Sequence, residues 1–308
     1  MLTLPGDLIG RDIDLGSVEV TADSLRQYAA AVGDDILSWG PLQVAPLGFV
    51  LALRGGPLPA VELADETVSV HGGHAIASHR ALIAGRYRVT ARLTSIFEKN
   101  GRSGPLTVVA RRAEINAADG SLMATVDDQQ IVRWRRADPA VPSASTPARR
   151  EDVLHSGGEE APYVPSGADR APVSSDLEVG TVVAFQRRAA PSASAIATYA
   201  KSLAGGESMF TDSAFARALG YADVIVPGPL QSALIEAFLR ERLPGWTLSR
   251  LSLTFRVSLI ARELISLAAV VVEHARQRSG AKLVCDLSLE NGEGERAALG
   301  LAELRREA

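Results

Sequence analysis

Three long runs in the first half, "GRYRVTARLTSIFEK", "GPLTVVARRAEINA" and "SLMATVDDQQIVRWR", alternate apolar and polar side chains and are broken by "NGRSG" and "ADG". A period of two puts successive side chains on opposite faces of a strand, and glycine-bearing breaks of this kind are hairpin turns. An antiparallel meander is predicted. The pattern returns near the C-terminus in "LSRLSLTFRVSL", "ELISLAAVVVEHARQ", "AKLVCDLSLE" and "RAALGLAELRR", with turns at "RSG" and "NGEGE". Several of these runs exceed the roughly five or six residues of a common strand, which suits a sheet that curves around something.

Upstream of each meander the chain repeats itself. "LIGRDIDLGSVEVTADSLRQYAAAVGDD" parallels "LEVGTVVAFQRRAAPSASAIATYAKSLAGGE", with Gly10 matching Gly180 and Tyr28 matching Tyr199. In each copy a β-like run reaches a capping residue, Thr21 or Ser192, and then apolar positions at helical spacing: Leu25, Tyr28 and Val32, or Ile196, Tyr199 and Leu203. A proline-bearing turn then opens a longer apolar helix, "APLGFVLAL" from Ala45 and "VPGPLQSALIEAFL" from Val226. "SALIEAFL" is apolar on most faces, so it needs burial nearly all round, which a wrapping sheet supplies and a flat one does not. Two units of one helix and one curved sheet predict an α+β fold, the double hotdog, packed as an intrachain pseudo-dimer. The expected domains are residues 1–136 and 177–308. Between them, 137–176 is rich in Pro, Ala, Ser and Gly without apolar periodicity and reads as a linker, with His155 inside it.

Composition narrows the function classes. The 308 residues suit two domains, and 46% hydrophobic with 22% charged residues is ordinary globular usage. A net charge of −4 argues against nucleic-acid binding. Cys285 is the only cysteine, so neither an intrachain disulfide nor a multi-cysteine metal site is expected. It lies in a strand pattern and reads as a small buried side chain. The N-terminus has no basic segment followed by an apolar core, and no window approaches a membrane span. A soluble cytoplasmic protein without membrane partners is expected.

The order and spacing of several motifs resemble two-domain members of the MaoC-like hydratase/dehydratase family, those similar to mesaconyl-CoA hydratases and 3-hydroxyacyl thioester dehydratases. In the first half the resemblance rests on "YAAAVGDD", "HGGHAIASHRALIAGRYRVTARL" and "EKNGRSGPLTVVARRAEINAADGSLMATV"; in the second, on "SMFTDSAFARALGYADVIVPGPLQSALI". It implies an acyl thioester substrate carried on CoA or an acyl-carrier protein, no cofactor, and a second hotdog subunit or a second copy of the chain as partner. It also implies a carboxylate and an imidazole sharing one water, with a backbone amide at the start of the central helix stabilising the thioester oxygen. Gly228 is the candidate amide; Pro229 has no N–H.

The dyad departs from the family pattern in both halves. The expected Asp and His fall on Gly205 and Phe210 in the second half, and the His that often precedes the helix glycine is Pro227. In the first half Asp34 matches but Trp39 stands for His. Candidate catalytic groups are therefore Glu207 in "GGESMF", Asp34 beside Asp35, and His79, one of three histidines in "HGGHAIASHR". His71 and His79 share a strand face, whereas His74 faces away unless the glycines make a bulge. Candidate substrate contacts are Gly228, Phe210, Tyr199, Trp39, His74 and Pro227. A metal site is not expected, because no acidic or sulfur partner accompanies the histidines. Arg256, on the polar side of its strand, reads as solvent-exposed or as a contact to a carrier phosphate. Three functions stay open: a hydratase or dehydratase on an acyl thioester, a non-catalytic acyl-binding or partner-stabilising scaffold, and a pathway-specific cyclase working by shape.

Overall fold

Ten strands hydrogen-bond into one antiparallel sheet in the computed structural model, which describes residues 8–34, 39, 44–53, 67–101, 104–134, 177–202, 208–277 and 280–307. The first five are β1 (Asp12–Val20), β2 (Thr67–Ser78), β3 (Gly85–Gly101), β4 (Gly104–Ala117) and β5 (Leu122–Trp134). The second five are β6 (Val182–Ala189), β7 (Thr247–Phe255), β8 (Leu264–Gln277), β9 (Gly280–Glu290) and β10 (Arg296–Glu307). Their order is β1-β3-β4-β5-β2-β7-β10-β9-β8-β6, so the second half read from its own edge repeats the order of the first. The halves join where β2 pairs with β7, from Gly73 opposite Thr254 to Ala77 opposite Arg250. The expected linker, 137–176, lies outside the described residues.

The helices follow the capping signals. In α1 (Ala22–Val32), Thr21 Oγ1 accepts from the Ser24 amide and Ser24 Oγ accepts from the Thr21 amide, each at 3.0 Å, so two otherwise orphaned donors are satisfied. Gly33 ends the helix in the left-handed region at φ 70°, a conformation glycine adopts without a Cβ penalty. Ser192 Oγ likewise accepts from the Ala195 amide at the start of α3 (Ala193–Ser202). The matched tyrosines of α1 and α3 meet at the seam between the halves, with Tyr28 and Tyr199 ring centroids 6.0 Å apart. In the first half a 3-10 turn, Leu47–Phe49, runs into α2 (Val50–Leu53). In the second, a 3-10 turn at Ser208–Phe210 and α4 (Ser213–Ala218) precede α5 (Gly228–Arg242).

Eleven of the fifteen residues of α5 are buried, as an all-round apolar helix requires. Four of those eleven, Gln231, Ser232, Glu236 and Arg242, are polar or charged. The expectation of an apolar rod thus holds for burial but not for chemistry. Around α5 lies one apolar core that draws on both halves, including Ile76, Leu93, Ile115, Leu251 and Leu304. A smaller cluster packs Met209, Phe210 and Ile225 against Val68 and Val70 of β2. Cys285 is fully buried, and burial pushes its thiol up to about 12, so it carries no thiolate at neutral pH. Among the described residues no helix is long and apolar enough to cross a membrane, and no group of three metal-ligating side chains occurs.

Phe238 on α5 is 2% exposed. Phe238→Ala should cost about 3–5 kcal/mol of stability, read as a lower urea midpoint with an unchanged slope.

Candidate active site

A β-bulge in β2 decides which histidines meet. Along the β2–β5 ladder His71 faces Gln130 and Gly73 faces Gln129, so Gly72 is extra, and His74 falls opposite Asp128. Gln130 and Asp128 are two apart on β5 and share a face, which brings His71 and His74 to that face together although they are three apart in sequence. Both glycines are needed. A Cβ at Gly72 would lie 2.8 Å from the Ile131 side chain, and one at Gly73 would lie 2.7 Å from the Leu253 carbonyl oxygen of the neighbouring β7.

The bulge creates a file of hydrogen-bonded side chains across two strands, β2 and β5, and into α5. Ser69 Oγ is 3.3 Å from Gln130 Oε1, and Gln130 Nε2 is 3.0 Å from His71 Nδ1. His71 Nε2 is 2.8 Å from His74 Nδ1, and His74 Nε2 is 2.8 Å from Ser232 Oγ. Ser232 Oγ in turn lies 3.2 Å from the Gly228 carbonyl oxygen. His74 and Ser232 are buried, whereas His71 and Gln130 are half-buried. Opposite His74, the buried Asp128 accepts from Arg111 Nε at 2.9 Å, which places an ion pair on the same face of the sheet.

This file ends at the N-terminus of α5. Pro227 occupies the N-cap and is buried; Gly228, the first helical residue, is half-exposed. The Phe255 ring closes one side: a Cβ at Gly228 would be 2.8 Å from it, and its centroid lies 5.5 Å from each of the two imidazoles. Phe210 packs nearby, in the cluster that covers Val68 and Val70, just before His71 in β2. The start of α5 thus brings a helix-terminal amide, two linked imidazoles and an apolar ring together, and linked imidazoles are groups that can move a proton.

A second polar cluster lies farther along α5. Glu236, eight residues or about 12 Å beyond Gly228, is buried and accepts from the Leu47 amide at 2.6 Å and the Gly48 amide at 2.7 Å. A carboxylate of the second half thereby caps the helical turn that opens the first half's central segment. Burial holds the Glu236 carboxyl above the usual carboxylate range, although both amides and Arg240 oppose the shift. The Tyr28 hydroxyl is raised well above its ordinary value, chiefly by burial and then by Tyr199 and Glu236. Arg240 forms an ion pair with Asp34, which also accepts from the Trp39 indole at 3.0 Å.

The sequence-predicted residues divide between these clusters. Asp34, Trp39 and Tyr199 gather at the seam around Tyr28, where Asp34 serves Arg240 and Trp39 rather than facing the imidazoles. His74, Gly228, Pro227 and Phe210 gather at the start of α5. His79 is exposed, its Nε2 3.4 Å from Thr125 Oγ1, five residues or about 16 Å past His74 along the strand direction. Glu207 lies outside the described residues, as do Gly205 and Asp35. Arg256 is exposed just beyond β7. Sequence reasoning missed Gln130, Asp128, Arg111, Ser232 and Glu236. The signal was present as polar residues in "ARR" and "DDQQ" on the inward phase of buried strands, and as Ser and Glu four apart in an apolar helix.

Glu236 generates a pH prediction. Its folded-state pKa is raised, so the native state holds the proton more tightly than the unfolded chain does, and stability falls as pH rises above the ordinary glutamate value. Glu236→Gln removes that titration. Urea midpoints measured across the acid-to-neutral range should decline with pH more steeply in the parent than in E236Q. Glu236→Ala, which orphans both amides, should cost about 1–3 kcal/mol per amide.

No protein-family model and no curated protein matches the sequence. Solved structures do match along nearly the whole chain. A protein described as a MaoC-like dehydratase superposes with a TM-score of 0.74 at 19% identity, covering 98% of this chain and 99% of its own. A MaoC-like dehydratase from Phytophthora capsici gives 0.64 at 14% identity, covering 99% and 100%. A Mycobacterium tuberculosis protein described as having a double hotdog fold gives 0.64 at 13% identity, covering 97% and 96%. Joined to a sheet whose two halves repeat one strand order about a buried central helix, these likenesses assign the chain the double hotdog fold of MaoC-like dehydratases.

Proposed function

We propose that this chain is an acyl-thioester enzyme of the hydratase and dehydratase type in which the His71–His74 pair does the acid–base work. The supporting observation is the position of the pair: linked at 2.8 Å, tied by Ser232 to the first turn of α5, and packed, as Gly228 is, against the Phe255 ring. Water addition to a 2-enoyl thioester removes one proton from water and returns one to the α carbon. His71, the half-buried member, takes the first proton as the water oxygen bonds to the β carbon, and then gives it to the α carbon. Electron density collects meanwhile on the thioester oxygen, where the Gly228 amide and the positive end of α5 stabilise it. Phe210 and Phe255 favour an apolar acyl chain, and either CoA or an acyl-carrier protein can present it. The protein whose second-half dyad positions read Gly205 and Phe210 thus keeps the thioester-holding helix and draws its imidazoles from β2.

The test is hydration of a panel of 2-enoyl-CoA thioesters of graded chain length, followed by loss of the enone absorbance. The parent should turn over at least one, and His71→Gln should lower kcat/KM by about 100-fold or more with folding intact. Full activity in H71Q would overturn the assignment. Gly205 and Phe210 also favour a second reading, a non-catalytic acyl-binding scaffold. Saturable binding of an acyl thioester without turnover, alone or with a second hotdog subunit, would establish that reading in place of the enzymatic one.

A further inference from the structure

We infer that Ser232 is a positioning residue that sets the tautomers of both histidines, leaving the basic lone pair of the pair on His71 Nδ1 at the half-exposed side. This rests on the proposed role of the His71–His74 pair. The Ser232 hydroxyl has one proton and two neighbours, the Gly228 oxygen at 3.2 Å, which can only accept, and His74 Nε2 at 2.8 Å; donation to the carbonyl is the arrangement that satisfies both contacts at once. Its oxygen is then the acceptor for His74 Nε2–H at 2.8 Å. A neutral imidazole carries one proton, so His74 Nδ1 is bare and accepts from His71 Nε2–H at 2.8 Å. His71 Nδ1 is bare in turn and accepts from the Gln130 amide nitrogen at 3.0 Å, while Gln130 Oε1 accepts from Ser69. The carbonyl at the start of α5 and the Gln130 amide at the far end thus agree on the direction of five successive hydrogen bonds.

The consequence is functional. Within the pair, the acceptor nitrogen on the less buried ring is His71 Nδ1, and the group it meets, the half-buried Gln130 amide, is one that a substrate water can replace. A proton taken up there is shared through Nε2 with His74, whose other nitrogen is anchored by the buried Ser232. The charged groups bordering His74 are Asp128, opposite it on β5, and Arg111 on β4, which are paired with each other. Without the Ser232 hydroxyl the file loses its buried terminus, and a turn of the Gln130 amide, which exchanges its oxygen and nitrogen between His71 and Ser69, then gives both histidines the other tautomer.

The experiment uses uniformly 15N-labelled protein and long-range 1H–15N spectra of the imidazoles at neutral pH, assigned by loss of signals in H71Q and H74Q. The expected parent pattern is Nε2–H with bare Nδ1 on both rings. Ser232→Ala, nearly isosteric, should bring in an Nδ1–H population, and Ser232→Thr, which restores a hydroxyl, should return the parent pattern. On an active thioester, S232A should lower kcat about 10-fold or more with KM little changed, and shift the basic limb of the pH profile. A parent spectrum with Nδ1–H on either ring, or an S232A spectrum identical to the parent, would overturn the inference. The tautomers are read without any substrate. A protein that shows the expected spectra but turns over no thioester would refute the proposed function and leave the role of Ser232 standing.

Discussion

The pairing of β2 with β7 is the constraint on which the rest of the structure depends. It turns two five-stranded sheets into one and lays a strand of the first half along the central helix of the second. Backbone ladders fix register to the residue, because a slip of one reverses every side chain. Here the register sets Gly73 against Thr254 and Leu253, at a distance no Cβ would permit. The same close approach carries His74 to within hydrogen-bond reach of Ser232. Tight strand contact and the His74–Ser232 hydrogen bond therefore have a common cause.

Polar groups inside this core are arranged so that few stand alone. Burying a carboxylate, a guanidinium or an imidazole is costly unless it is paired, and three of the buried contacts run from one element to another. Glu236 of α5 holds the amides of Leu47 and Gly48, Asp128 holds Arg111 from the next strand, and Ser232 holds His74 from the other half. Such contacts contribute less to net stability than the apolar core around them.

The two ends of α5 have diverged in chemistry. At its start, a half-exposed glycine lies against the Phe255 ring, which packs on both imidazoles. Two turns on, the equivalent helical opening of the first half is already met by an internal carboxylate, with Arg240, Asp34 and Trp39 packed beside it. A duplicated fold has thus been used asymmetrically, one copy presenting its helix start and the other closing it with its neighbour's side chain.

Strand alternation, glycine turns, capping residues and the internal repeat were legible in the sequence because they are local. Each depends on a period of two or on the few residues around a helix end, so β3 to β5, β7 to β10 and the Thr21 and Ser192 caps could be placed directly. The all-round burial of α5 was legible for the same reason. The polar partners were not, since Ser232 and Glu236 acquire meaning only from residues 158 and 189 positions away. Nor could alternation alone say whether His74 faces its neighbour His71. One extra glycine in a strand changes parity, and whether a bulge forms is decided by the strands on either side, Ile131 packing over one glycine and the Leu253 carbonyl pressing on the other.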